Sequence, residues 1–173
     1  MASYNLHEFK KEIAYLYPRL NRAVSAWLAG SKIEPEDILQ EVFLKAWKNL
    51  PRFQGEASLY TWLFSIARNL CIDELRKQKS RKKISPIPVE DFELEADRFS
   101  NEDEREEILL LRKAIAELPE MLRSVVIMKS IDGMTYPEIS QINGVNVQTL
   151  KNRMFRARKL LAESLKKMGV NEP

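Results

Sequence analysis

Cysteine, glycine, histidine and long apolar runs are what this 173-residue chain has least of. Its one cysteine, Cys71, excludes an internal disulfide and a cysteine-built zinc site, leaving a small buried or half-buried filler as its expected role. The one histidine, His7, lies near the N-terminus and is expected to be solvated. Five glycines and eight prolines are too few for long irregular or sheet-rich architecture. No apolar run approaches the ~18 residues that span a bilayer, and MASYNLHEFKKE lacks the apolar segment of a signal peptide. The expected location is therefore the cytoplasm. No nucleophile–base arrangement, metal cluster or glycine-rich phosphate loop stands out, so the expectation is a binding protein rather than an enzyme, with no cofactor.

What is present is charge, and it is segregated. Residues 1–88 carry fifteen Lys/Arg against nine Asp/Glu, a net of +6. Residues 89–107 carry ten acids against two arginines, a net of −8, and residues 108–173 carry eleven bases against six acids, a net of +5. Two basic units separated by an acidic strip point to two nucleic-acid-facing domains joined by a linker. With 45% hydrophobic residues the fold class expected is all-α: two small helical domains, 1–83 and 105–173, joined by an acidic linker over 84–104.

The most informative stretch is Met134 to Lys167. Thr135 and Glu138 stand in a capping-box relation, which predicts a helix start with Ile139 and Ile142 on its buried side. Asn143-Gly144 breaks that helix, and Asn146 can cap a second one beginning at Val147. At about 100° per residue, Val147, Leu150, Met154, Leu161, Leu165 and Met168 gather on one side. Gln148, Thr149, Asn152, Phe155, Arg156 and Lys159 gather on the other, with Lys151, Arg153 and Arg158 on the flanks. Amides, an aromatic ring and cations on one outward face are what a recognition helix needs in a major groove. The plainer alternative is a helical hairpin with a solvated basic face. Against it, no acid occurs between Glu138 and Glu163.

Upstream, helical spacing runs from Leu6 to Leu28 through Phe9, Ile13, Leu16, Leu20, Val24 and Trp27, with Pro18 expected to kink or divide the helix. A helix from Glu34 to Leu50 places Leu39, Val42, Phe43, Ala46, Trp47 and Leu50 on one side. Asp37, Gln40, Glu41, Leu44 and Lys48 share the other. Leu44 in that polar stripe is either an ordinary exposed leucine or the centre of a protein-docking face. After the loop PRFQGEAS comes a helix with Leu59, Trp62, Leu63, Ile66 and Leu70 buried, and with Thr61, Ser65, Arg68, Asn69 and Ile72 on another face. It runs into the basic tract Arg76 to Lys83. Phe53 and Tyr60 near a cationic exit suit a groove for unpaired bases, but the residues alone favour the plainer alternative, a helix with core aromatics and a solvated basic tail. A helix resumes at Glu102 with Ile108, Leu111, Ile115 and Leu118 on its core side, stops at Pro119, and is followed by EMLRSVVIMKSI.

EDILQEVFLKAW followed by FQGEASLYTWLFSIARNLCIDELRK resembles the first conserved domain of the bacterial extracytoplasmic-function sigma factors. LPEMLRSVVIMKSIDGMTYPEISQINGVNVQTLKNRMFRARKLL resembles their second. The resemblance implies a promoter-specificity subunit of RNA polymerase. Asp37, Gln40, Glu41, Leu44 and Lys48 would then dock on the clamp helices of the polymerase's largest subunit. Arg52, Phe53, Gln54, Gly55, Ala57, Ser58, Tyr60, Thr61, Trp62, Ser65, Arg68 and Asn69 fall in the region that melts the −10 element and holds a flipped non-template base. Gln148, Thr149, Lys151, Asn152, Phe155 and Arg156 would face the −35 duplex, with Arg153 and Arg158 on phosphates. The acidic linker matches the segment that the family threads through the polymerase cleft.

Many relatives have Gly at Gln148 and Ser at Asn146 and Asn152, so the −35 sequence itself is not carried over. Relatives are commonly held inactive by an anti-sigma factor, and such a partner is left open here. Two other classes remain as alternatives. A stand-alone helix-turn-helix regulator would bind a palindromic duplex without polymerase, and a pure protein-interaction module would be indifferent to changes at Asn152, Phe155 and Arg156.

Overall fold

The computed structural model describes residues 6–82 and 102–170, and no strand occurs among them. Seven α-helices follow one another: α1 (Leu6–Leu28), α2 (Pro35–Asn49), α3 (Leu59–Lys82), α4 (Glu102–Glu117), α5 (Glu120–Val126), α6 (Tyr136–Asn143) and α7 (Val147–Lys167). A short 3-10 turn, Leu50–Arg52, follows α2, and a π-helical turn, Ile127–Ile131, extends α5. Most of the expected linker, residues 84–101, lies outside the described residues. Its last three positions, 102–104, belong to α4 instead.

In the N-terminal half, α1, α2 and α3 pack on one another around Leu20, Val24, Trp27, Leu39, Val42, Leu63 and Phe64. Pro18 does not divide α1, which runs unbroken across it. The helix sacrifices one backbone hydrogen bond there, and burial of Phe9 and Leu20 on either side holds it together. Two faces differ from the expected wheel. Trp47 is 42% exposed, although it lies against the Phe9 ring with centroids 5.6 Å apart. On α3 the buried set includes Tyr60, Thr61, Phe64, Ala67, Cys71 and Ile72, whereas Trp62, Ile66 and Leu70 are half-buried. The reason is that α3 is covered on two sides, by α1 and α2 and also by α6. Most of the basic tract after residue 76 continues α3 as helix rather than trailing from it. Cys71 is a buried free thiol whose pKa burial pushes up to about 12, which fits an inert filler. His7 is exposed, as expected.

In the C-terminal half, α5 and the π turn supply Val125, Val126, Ile127 and Met128 to a core closed by Ile139, Leu150 and Met154. Leu111 is 40% exposed, and Ala114 takes its expected place in the core beside Ile115 and Leu118. Pro119 ends α4 as expected, and Arg123 donates to the Ala116 and Leu118 carbonyls at 2.6 and 3.3 Å, so two acceptors at that helix end are satisfied. The two halves share one continuous core, and α1 touches both α4 and the π turn.

The helix-turn-helix is built as its residues dictate. The Thr135 N–H donates to the Glu138 carboxylate at 2.7 Å, and the Glu138 N–H donates back to Thr135 Oγ1 at 3.4 Å, which completes the capping box of α6. The Thr135 hydroxyl, then its N–H, hold the Glu138 pKa below the usual carboxylate range. That contribution is present at neutral pH and is lost as pH falls through the lowered value. Gly144 takes φ 65° at the end of α6, and Asn146 Oδ1 accepts from the Thr149 N–H at 2.8 Å to start α7. A Cβ at Gly144 would meet nothing within 4 Å, so alanine there carries only the left-handed backbone penalty. Gly144→Ala should lower stability by about 1–2 kcal/mol, read as a shifted urea midpoint with unchanged slope, and Asn should lose less.

Candidate nucleic-acid and polymerase interfaces

Three surfaces follow from this packing. The first lies on α7, whose inner side buries Leu150, Met154 and Ala157 against α5 and α6. That fixes the opposite side in solvent. Gln148, Lys151, Asn152, Phe155, Arg156 and Arg158 are exposed there, and Thr149 and Arg153 are half-buried at its edges. Phe155 stands out, 74% exposed. Gln148 Nε2 donates to Asn152 Oδ1 at 3.2 Å, an i,i+4 pair that presents the two amides side by side. All eight expected −35 positions fall on this face or its margins.

The second surface lies on α2. Burial of Ile38, Leu39, Val42 and Ala46 turns Asp37, Gln40, Glu41, Leu44 and Lys48 outward, and all five are exposed. Leu44 is 54% exposed, and the exposed part of Trp47 adds to the apolar area of this helix. The sequence reading missed Trp47 here. Its position at the edge of the apolar stripe was the available signal.

The third surface gathers the loop after α2 and the start of α3. Ser58 opens α3, its Oγ accepting from the Thr61 N–H at 3.0 Å, and the two hydroxyls lie 2.8 Å apart. Phe53 stacks on Trp62, centroids 4.8 Å apart and planes 29° from parallel. A pocket of about 300 Å³ opens beside this stack, lined by Lys45, Asn49, Arg52, Trp62 and Ile66. Lys45 and Asn49 were not among the expected −10 residues. Their only sequence signal is a polar i,i+4 pair at the end of α2, which the Asn49 side chain closes by donating to the Lys45 carbonyl at 2.8 Å. Arg52, Gln54, Gly55 and Ser58 are exposed, Phe53, Ala57, Trp62 and Ser65 half-buried.

The remaining expected −10 residues sit differently. Tyr60 and Thr61 are 6% and 5% exposed. The Tyr60 hydroxyl donates to Asp132, and burial first, then that hydrogen bond, hold the phenol protonated far above its ordinary value. Arg68 Nε donates to Ser124 Oγ at 3.3 Å and its Nη1 to Asn69 Oδ1 at 3.1 Å. Burial pulls the Arg68 pKa down and Glu120 opposes this. The sequence placed these side chains on one open surface, whereas the C-terminal half covers part of it.

Residues 13–81 match the family model for sigma-70 region 2, and residues 108–161 match that for sigma-70 region 4. The RNA polymerase sigma-H factor of Pseudomonas aeruginosa is 33% identical over 141 residues, which covers 76% of this chain and 73% of that protein. The ECF RNA polymerase sigma-E factor of Haemophilus influenzae is 30% identical over 171 residues, 90% of this chain and 88% of that protein. This chain belongs to the extracytoplasmic-function sigma factors. Among solved structures, the sigma factor is similar to RpoE in complex with the anti-sigma factor NepR from Bartonella quintana. The TM-score is 0.77 at 27% identity, over 93% of this chain and 98% of that one. Its fold is also that of CnrH, solved with the cytosolic domain of CnrY, at a TM-score of 0.72 and 24% identity over 96% and 92% of the two chains. As a sigma factor it directs core RNA polymerase to promoters, within a family of non-catalytic initiation factors. The region 2 match contains the α2 face and the pocket, and the region 4 match contains the helix-turn-helix. No helix among the described residues is long and apolar enough to cross a membrane.

Proposed function

We propose that this sigma factor works in the cytoplasm as three contacts made in concert. The Asp37, Gln40, Glu41, Leu44 and Lys48 face of α2 docks on the clamp helices of the polymerase's largest subunit. The outer face of α7 enters the major groove of the −35 element. The loop from Arg52 to Ser58 and the start of α3 hold the −10 non-template strand open. The domains are 1–83 and 105–173, joined by 84–104, of which 102–104 already lie in α4. The observation that carries this reading is Phe155, left 74% exposed amid the exposed Lys151, Asn152 and Arg156. An exposed ring flanked by cations and amides is complementary to a groove of thymine methyls, base edges and phosphates.

The energetics require the contacts to act together. Unstacking the duplex costs about 1.4 kcal/mol per base-pair step, and stacking one freed base on a protein ring returns ~1–3 kcal/mol. The Phe53–Trp62 stack and the pocket beside it supply only a few such contacts, so melting needs polymerase docking and −35 binding to hold the chain in place. Charge supports the same reading, since both halves carry a net positive charge toward DNA. The likeness to RpoE, solved with NepR, supports control of this chain by an inhibitor of the same anti-sigma class.

The test is a reconstitution of core polymerase with this chain on candidate promoters, scored for start-site choice and permanganate-detected strand opening. Start-site selection that requires both polymerase and this chain is the expected result. Tight binding to a palindromic duplex without polymerase would replace this reading with a stand-alone regulator. Within the same assay Arg156→Ala should cost ~1–3 kcal/mol and relax one −35 position. Uniform weakening on all sequences would make Arg156 a phosphate contact instead.

A further inference from the structure

The interface between the two halves contains a polar cluster centred on Asp132, which no promoter or polymerase contact uses. Asp132 follows the π turn, and its side chain is 1% exposed. Its partners belong to the other half. Arg19 of α1 donates from Nε to Oδ1 at 3.2 Å and from Nη2 to Oδ2 at 2.9 Å, with a further bond from Nη2 to the Asp132 carbonyl at 3.2 Å. Tyr60 of α3 donates its hydroxyl to Oδ1, and the Arg19 guanidinium lies over the Tyr60 ring, 3.9 Å from its centroid. Further along α3, Arg68 reaches Ser124, and Arg76 forms a bidentate pair with Glu120 at 3.1 and 2.9 Å.

We propose that Asp132, clasped by Arg19 and Tyr60, is a self-inhibitory latch that holds the free sigma factor closed. The inference rests on the functional reading above, in which Tyr60 and Arg68 belong to the −10 surface. In the closed chain both side chains are committed to the C-terminal half, so the −10 strand and that half compete for one face of α3. Geometry makes the two states exclusive. Elements centred near −35 and −10 lie roughly 80 Å apart on a duplex rising 3.4 Å per base pair. Two halves that share a core cannot occupy both.

The chemistry suits a contact that opens. The Asp132 carboxylate is taken out of water and recovers its desolvation cost through Arg19, which stays 41% exposed, so the pair adds little net stability while its geometry fixes one register. Parting the halves returns Asp132 and the Tyr60 hydroxyl to water together. Removing one partner alone tips the balance toward opening, because the closed state then keeps an unmatched polar group.

The experiment uses the full chain, with small-angle scattering for shape and titration against core RNA polymerase for affinity. Wild type should scatter as a compact particle, near the radius of gyration of about 16 Å for a chain this long. Asp132→Ala and Arg19→Ala should each raise that radius by several ångströms and tighten polymerase binding about tenfold, the gain from removing a tenfold closed-state bias. The double variant should open less than either single, because it leaves neither the carboxylate nor the guanidinium without its partner. Unchanged scattering in every variant, or expansion without tighter binding, would overturn the latch. Circular dichroism checks that each variant stays helical. If Asp132→Ala does not, Arg19→Ala decides the matter from the other half. If wild type and variants alike fail to bind polymerase, the docking reading falls, and scattering alone decides whether Asp132 holds the halves together.

Discussion

Leu44→Arg should abolish polymerase-dependent transcription while leaving the free protein as stable as wild type. Leu44 is 54% exposed on a helix whose packing is done by Ile38, Leu39, Val42 and Ala46 on the other side, so the fold gives it little to lose. If it is the apolar centre of a docking face, an arginine there enters a desolvated contact without a partner. Burying an unpaired charge at an interface costs ~2–5 kcal/mol, a loss of tens to thousands of fold in affinity. Tyr15→Arg is the matched control, since Tyr15 is 82% exposed on α1 and has no place in the docking face. Titration of core polymerase against labelled sigma factor should separate the two variants by at least an order of magnitude. Equal binding would remove α2 from the polymerase interface.

The second large effect is on stability. Leu150 is 0% exposed, and with Met154 and Ala157 it anchors the recognition helix in the hydrophobic core. Leu150→Ala should lower stability by ~2–5 kcal/mol through lost burial and the cavity left behind. Against a typical total of about 5–15 kcal/mol, that is enough to loosen the helix-turn-helix at physiological temperature. The proposed −35 contacts would go with it, since Asn152, Phe155 and Arg156 depend on α7 being held by its inner side. Leu160→Ala, at a 39% exposed position on the same helix, should change stability by less than about 0.5 kcal/mol. Urea denaturation of both variants checks the contrast.

The legible parts of this chain were those set by neighbours within one or two helical turns. Thr135 and Glu138, Gly144, and Asn146 with Thr149 mark the ends of α6 and α7 through bonds spanning three or four residues, and each is where the spacing predicts it. The same holds for the solvent side of α2 and α7, because a helix buried on one stripe must expose the other. Periodicity failed where a helix is covered twice or only partly. Thr61 and Ile72 are buried on α3 because a second layer covers that helix, and Leu111 and Trp47 remain partly in water at 40% and 42% exposed. Nothing in a wheel records how far the neighbouring elements will reach over each position.

The pocket beside Trp62 shows the same limit. Arg52 and Trp62 were in view as members of the loop and the next helix, but Lys45 and Asn49 join them only because α2 ends against α3.

By itself, then, the sequence determined the helical class, the turn and caps of the helix-turn-helix, and which residues of α2 and α7 are turned to solvent, because each depends on short-range bonding and on the 3.6-residue repeat. Only the tertiary structure decided that the two halves close on each other and that Arg19 and Tyr60 converge on Asp132. Arg19 and Tyr60 stand 113 and 72 residues away from it along the chain. An aspartate in a turn looks the same in a sequence whether it meets water or an arginine from a distant helix, and long-range packing alone makes that choice.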